Sequence, residues 1–239
     1  ARCLLRTTER FIEEDTMNHF AILMSFLRDR QKFLEDVYKE VRLEKKIVSL
    51  LICSSVFFAL YGAIVGSSAG GLQIFASAIK LPALYLITLI ICLPTLYFLE
   101  VILGSNRSFA QYLTLLLASM AMISVMLFGF APVTLFFRLS INDYQFFKLL
   151  NVAILAIAGI IGVSFFYRGM LFLNEQDSKK PNTIVKAWLF LYGFVGSQMG
   201  WTLRPFFGEP GQNFQLFRQL ESNFYLHILK VIGDTLGLG

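Results

Sequence analysis

Five long apolar runs constrain the fold of this chain more than any other feature. A helix needs about 20 apolar residues to cross the hydrocarbon core of a bilayer. Only 15% of the residues are charged, whereas a soluble domain averages about 25%. We therefore expect an all-α, polytopic membrane helix bundle with about five transmembrane helices. The expected spans are residues 47–66, 81–103, 109–137, 149–173 and 184–200.

Amphipathic segments flank this transmembrane region, which we assign to residues 47–207. Residues 1–46 contain ten Lys or Arg and nine Asp or Glu, and they predict an amphipathic helical segment on the cytoplasmic side. Residues 208–239 predict a second amphipathic helix, lying along the membrane surface. A row of apolar residues recurs every seven positions in the first segment, as in a coiled coil. Its members are Phe20, Leu27, Leu34 and Val41.

Two interpretations of that row remain open. The first segment either packs against the membrane or its own bundle, or it uses the row to bind a partner. The first interpretation is favoured because fewer than four clean heptads are present.

The prolines predict boundaries and bends within the spans. Pro82 is expected to open the second span, and Pro94 is expected to kink it. Pro132 is expected to kink or end the third span. Between the spans, residues 67–79 suggest a short interfacial helix, and residues 138–148 suggest a polar connection.

Small residues four positions apart predict close helix contacts, because they let two backbones approach in a membrane. We expect the small residues of the fifth span to pack on those of the fourth. The predicted helix-packing residues are Gly62, Gly66, Ala158, Gly162, Gly196 and Gly200.

Tryptophans and charged residues near the ends of the spans are candidate interface anchors and ion pairs. Trp188 and Trp201 flank the fifth run, where indole rings often lie at the headgroup level. Glu100 and Arg107 are close enough in sequence to form a structural pair at the inner interface. The outer cation is Arg204, and we expect it to pair with one of two acidic residues. These are Asp143 and Glu209.

Basic residues predict the orientation of the bundle. With five spans and a cytoplasmic N-terminus, fifteen Lys or Arg lie on the inner side and six on the outer side. Because cytoplasmic loops of membrane proteins are enriched in basic residues, this orientation is favoured. The formal net charge of +5 is therefore interpreted as a topology signal, and we expect no nucleic-acid partner.

The sequence shows no catalytic or cofactor-binding pattern. His19 and His227 fall on opposite sides of the membrane in this topology, so they cannot share a metal ion. No metalloprotease, serine-hydrolase or phosphate-binding motif is present. We therefore expect no enzyme, no cofactor and no metal site.

Four segments, SFAQYLTLLLASM, FGFAP, DYQFFKLLNVAILAIAGIIG and GFVGSQMGWTLRPFFG, resemble a family of uncharacterised bacterial multi-pass membrane proteins. Some of its members carry an actin-binding label. The layout of five spans with a GSNRSFAQ turn before the third is also similar to Yip-type membrane proteins. The first resemblance implies a bacterial inner membrane, and the second implies membrane organisation and partner binding. Neither resemblance implies a reaction.

These features together predict an integral membrane protein that works by binding. The expected role is a structural, scaffolding or accessory subunit, in contact with the lipid bilayer and with other membrane proteins or further copies of itself. The alternative is a component of an oligomeric channel or transporter, with its path between subunits.

Overall fold

The computed structural model describes residues 19–67, 71–140, 144–176 and 183–203. Within these ranges every regular element is an α-helix, so the all-α prediction is confirmed. In chain order the helices are α1 (His19–Arg28), α2 (Arg30–Tyr38), α3 (Leu43–Gly66), α4 (Gly71–Ile102), α5 (Phe109–Ser140), α6 (Tyr144–Gln176) and α7 (Thr183–Thr202).

Four of these helices, α3 to α6, are long and apolar enough to cross a membrane. The helices α4, α5 and α6 contain 32 or 33 residues each. At a rise of 1.5 Å per residue they are about 48 Å long, whereas the hydrocarbon core measures about 30 Å. Their ends therefore extend beyond the hydrocarbon. The predicted fifth run forms α7, which has 20 residues and is not among the four helices long and apolar enough to cross a membrane.

Helix α5 is the central helix of the bundle. In its most apolar stretch 67% of the residues are buried, against 33% in α3, α4 and α6. Helix α3 packs against α4 and α5, α6 packs against α5, and α7 packs against α4. The outer faces of the surrounding helices carry large apolar side chains such as Ile90, Phe98 and Ile160, all more than 60% exposed. Such a surface suits contact with lipid.

The helix boundaries differ from those expected at two prolines. The prediction that Pro82 opens a span was wrong, because α4 already begins at Gly71 and contains most of the expected interfacial helix at 67–79. The third span does not end at Pro132, since α5 continues to Ser140. Internal prolines are tolerated in membrane helices because neighbouring groups satisfy the carbonyls that proline leaves without a donor.

The connection between α5 and α6 is shorter than the predicted connection at residues 138–148. Helix α5 ends at Ser140 and α6 begins at Tyr144, so the link contains three residues. Short links of this kind join antiparallel neighbouring helices. The ends of α3 and α5 and the beginnings of α4 and α6 therefore lie on one side of the bundle.

The N-terminal segment is not one continuous helix. Asp29 separates α1 from α2, and its carboxylate accepts a hydrogen bond of 3.0 Å from the backbone N–H of Lys32. After α2, Glu40 and Arg42 have φ angles of 57° and 51°. This left-handed backbone costs a non-glycine residue about 1–2 kcal/mol, and here it turns the chain into α3.

The break changes which side chains the segment buries. Leu34 is buried and Leu27 is partly buried, whereas Phe20 and Val41 are 51% and 42% exposed. The seven-residue row is therefore split between two environments. The side chains buried most deeply from α1 and α2 are Leu23, Phe26, Phe33, Leu34 and Val37.

The buried face of α1 and α2 contacts the protein's own bundle. The rings of Phe26 and Phe165 meet edge to face at 5.4 Å, and Leu34 lies beside Gly169 of α6. At the other end of α1, the Nδ1 atom of His19 is 2.7 Å from the hydroxyl of Ser49 on α3. These contacts favour the interpretation in which the segment packs under its own bundle.

Candidate functional site

A close contact between helix backbones involves Gly62 and Gly66 of α3. A Cβ atom on Gly62 would collide with the carbonyl oxygen of Ser77 on α4. A Cβ atom on Gly66 would lie 2.5 Å from the carbonyl oxygen of Gln73. Because backbone atoms cannot move aside cheaply, only glycine fits at these two positions. The pair therefore sets the separation of α3 and α4.

The small residues of α6 contact a different helix from the one expected. A Cβ atom on Gly162 would meet the side chain of Ile123 on α5, and Ala158 is fully buried. The prediction that these residues pack on the fifth run was therefore wrong. Large side chains of α5 fill the space beside the small residues of α6.

The glycines of α7 have much more space around them. A Cβ atom on Gly196 would approach only Thr88 of α4, at 3.8 Å. At Gly193 and Gly200 a Cβ atom would meet no described residue within 4 Å. Within the described part of the chain, α7 thus contacts α4 on one side and leaves glycines open elsewhere.

Trp188 is the main side chain that fixes α7 to the bundle. It is 1% exposed, and its indole N–H donates a hydrogen bond of 3.1 Å to the carbonyl of Cys92 on α4. Its ring centroid lies 5.2 Å from that of Phe166 and 5.3 Å from that of Tyr192. Trp188 therefore lies inside the protein, not at a lipid interface, whereas Trp201 is partly exposed near the end of α7.

A buried polar cluster lies where α4 leads into α5. Glu100 and Arg107 are each only 6% exposed, and their pairing stays a prediction. The hydroxyl of Tyr112 donates to a carboxylate oxygen of Glu100 at 3.4 Å and lies 2.8 Å from the hydroxyl of Ser105. Tyr112 and Ser105 were not predicted from the sequence. The feature that could have indicated them is a hydroxyl group within five residues of Arg107.

Gln111 joins this junction to the N-terminal segment. Its side-chain NH₂ donates to the carbonyls of Val37 and Tyr38 at 3.1 and 2.9 Å. Its side-chain oxygen accepts from the backbone N–H of Ser108 at 2.9 Å. The last carbonyls of a helix have no partner within the helix. Gln111 therefore completes the end of α2 and the beginning of α5 together.

A second polar cluster connects three helices inside the bundle. The hydroxyl of Tyr61 on α3 donates to the side-chain oxygen of Asn151 on α6 at 2.8 Å, and it lies 3.4 Å from the hydroxyl of Thr134 on α5. The amide of Asn151 donates to the carbonyl of Phe147 at 2.8 Å. Tyr61, Thr134 and Asn151 are fully buried. Hydrogen bonds of this kind link helices in a membrane.

The other described polar groups offer no candidate metal site. Among the described residues, no three His, Cys, Asp or Glu side chains are placed to hold a metal ion. The hydroxyls of Thr114, Ser119 and Ser124 in α5 donate to carbonyls of their own helix. Three predicted residues, Arg204, Asp143 and Glu209, and the predicted helix at 208–239, lie outside the described residues.

Comparisons with protein-family models, with curated proteins and with solved structures found no match. Function is therefore inferred from the contacts described above.

Proposed function

We propose that this protein is a five-span membrane protein that acts as a structural, scaffolding or accessory subunit. It does so through helix contacts with further copies of itself or with other membrane proteins. The resemblance to bacterial multi-pass proteins suggests the inner membrane as its location. In this topology fifteen Lys or Arg lie on the inner side and six on the outer side, which suggests a cytoplasmic N-terminus.

Helix α7 is the fifth span in this proposal. Its 20 residues give a length of about 30 Å, which matches the hydrocarbon core. Two large apolar side chains of α7 point outward, with Phe190 79% and Phe194 43% exposed. The buried hydrogen bond from Trp188 to α4 holds it alongside a helix that is itself long enough to span.

The observation that carries the proposal is the contrast between the glycines of α3 and those of α7. Around Gly62 and Gly66 the space is filled by the backbone of α4. A Cβ atom added at Gly193 or Gly200 would meet no described residue within 4 Å. Close contact at glycines drives helix association in lipid, where no hydrophobic effect favours it. A glycine face that no described residue covers therefore suits contact with a second membrane helix.

The interior of the bundle gives less support to the alternative, a channel or transporter component. Helix α5 is the central helix, and three of its buried hydroxyls are bonded to its own carbonyls. The Tyr61–Asn151 cluster is fully buried and is not part of a continuous polar path among the described residues. Selective ion flux through liposomes that contain only this protein would replace the proposed role with the alternative.

The test replaces the two glycines of α7 that no described residue covers. Gly193→Leu combined with Gly200→Leu should abolish cross-linking to a partner or to a second copy in native membranes. The leucine side chains prevent a second helix from approaching α7 closely, and at both positions an added Cβ atom meets no described residue of the protein itself within 4 Å. Gly129→Leu on α5 is the matched control, because Gly129 also has no described residue within 4 Å but belongs to no glycine pair.

Cross-linked products should be identified by mass spectrometry in all three proteins. The proposal is rejected if the wild-type protein yields only uncross-linked monomer. It is also rejected if the double variant and the control give the same products as the wild type.

A further inference from the structure

A cavity of about 160 Å³ lies between α3, α4 and α6. Helix α3 contributes Tyr61, α4 contributes Ser77, Leu84 and Tyr85, and α6 contributes Leu155. All three helices are among the four that are long and apolar enough to cross a membrane. Leu84, Tyr85 and Leu155 are only partly buried, so the cavity adjoins the outer surface of the bundle. A molecule dissolved in the lipid can therefore reach it from the side.

The size and lining of the cavity limit what it can hold. Its walls are mainly aliphatic and aromatic, and no charged side chain lines it. An apolar cavity of about 150 Å³ in a protein interior remains dry and binds benzene. The space therefore suits one six-membered ring, whereas a charged lipid headgroup would lose its hydration without a compensating partner.

Three hydroxyl-bearing side chains line the cavity, and two of them already have partners. The hydroxyl of Tyr61 donates to Asn151, and that of Ser77 accepts from Gln73 at 3.1 Å. Tyr85 differs from both. Its ring stacks on Phe58 at 4.2 Å, but its hydroxyl makes no hydrogen bond with any described residue.

The stacked ring of Tyr85 places a hydrogen-bond donor at the wall of an apolar space. In apolar surroundings a hydroxyl is more stable with a hydrogen-bond partner than without one. A ligand oxygen that accepts from this hydroxyl would supply that partner. The remaining surface of the ligand would contact aliphatic and aromatic walls.

We infer that this cavity binds a membrane-dissolved molecule with one six-membered ring that carries an oxygen, as in a phenol or a quinone. The ring occupies the apolar space between α3, α4 and α6, and its oxygen accepts a hydrogen bond from Tyr85. This binding site is additional to the proposed scaffolding role and does not depend on it.

The probe for this site is 4-fluorophenol, followed by ¹⁹F NMR during titration of the full chain in lipid nanodiscs. Fluorobenzene serves as the matched ring without oxygen. Wild-type protein should give saturable binding of 4-fluorophenol above the partitioning measured in empty nanodiscs. Tyr85→Phe should weaken the binding of 4-fluorophenol about two- to tenfold, the effect of one hydrogen bond, and leave that of fluorobenzene unchanged.

Filling the cavity should remove the binding of both probes. Leu84→Trp places an indole in the space, and Leu155→Phe fills it from the opposite wall if the first variant does not fold. Ile90→Trp is the control, because Ile90 is 66% exposed on the same helix and does not line the cavity. The inference is overturned if the probe only partitions without saturation, or if Leu84→Trp or Leu155→Phe folds and binds like the wild type. If Ile90→Trp weakened probe binding as much as the cavity variants do, the inference would also be overturned. If Tyr85→Phe bound 4-fluorophenol as tightly as the wild type, the hydrogen bond from Tyr85 to the ligand oxygen would be refuted.

Discussion

Replacing Gly62 by alanine tests the close contact between the backbones of α3 and α4. The added methyl group would collide with the carbonyl oxygen of Ser77. That oxygen belongs to the backbone of α4, so relief requires α3 and α4 to move apart. Gly66→Ala should act in the same way, because its methyl group would lie 2.5 Å from the carbonyl oxygen of Gln73.

Two opposing contributions set the size of the effect. Alanine favours a helix over glycine by about 1 kcal/mol. Overpacking of a tight interior costs about 1–3 kcal/mol, and contact with backbone places Gly62 at the upper end of that range. The free energy of unfolding should therefore fall by about 1–2 kcal/mol. Gly162→Ala should cost less, because the atoms in the way belong to the side chain of Ile123.

Gly159→Ala provides the matched control. Gly159 lies within a long helix of the same bundle, and no described residue lies within 4 Å of the position that the added methyl group would take. Only the helix-propensity contribution remains, so stability should be unchanged or higher by up to about 1 kcal/mol. The assay is reversible unfolding in mixed micelles at increasing mole fractions of denaturing detergent, followed by circular dichroism. If Gly62→Ala proved as stable as Gly159→Ala, the close α3–α4 contact would not exist in the folded protein.

Three further predictions address the attachment of α7, the N-terminal segment and the topology. Trp188→Phe should lower the free energy of unfolding in the same assay by about 1 kcal/mol, since the hydrogen bond to the Cys92 carbonyl is lost while the aromatic packing is kept; an unchanged value would mean that this bond is not formed. Gln111→Leu should leave the Tyr38 carbonyl without its side-chain donor, at a cost of about 1–3 kcal/mol, while the Val37 carbonyl keeps the backbone N–H of Glu40; limited proteolysis should cut the turn after α2 faster than in the wild type. A cysteine introduced at Ser178 should react with an impermeant thiol reagent only from the cytoplasm and one at Gly211 only from outside; labelling of both from one side would reject five spans.

The sequence alone was enough to predict an all-α protein with several membrane-length helices. Hydropathy is a local property, and a long apolar run in lipid has few structures available to it. Backbone N–H and C=O groups find no water there, so the run must satisfy them within its own helix. The same reasoning made Gly62 and Gly66 recognisable as close-contact positions, because glycines four residues apart share one helix face.

The sequence was less informative about where a helix begins and where it breaks. Pro82 predicts a helix start when considered alone, yet it lies inside α4, because the helix was already established from Gly71. The seven-residue row of the N-terminal segment predicts one face, yet Asp29 interrupts the helix and splits the row. In both cases one local pattern was outweighed by other residues of the same segment.

Only the tertiary structure decided which faces meet. The sequence identified Trp188 as a candidate anchor, but its burial against Cys92 and Phe166 depends on a helix more than ninety residues away. The same holds for the bond between Tyr61 and Asn151 and for the cavity beside Tyr85. The four helices that are long and apolar enough to cross a membrane have similar hydropathy, so hydropathy does not distinguish one partner from another. Their pairing depends on the complementary shapes of side chains and on single hydrogen bonds, which exist only once the helices are assembled.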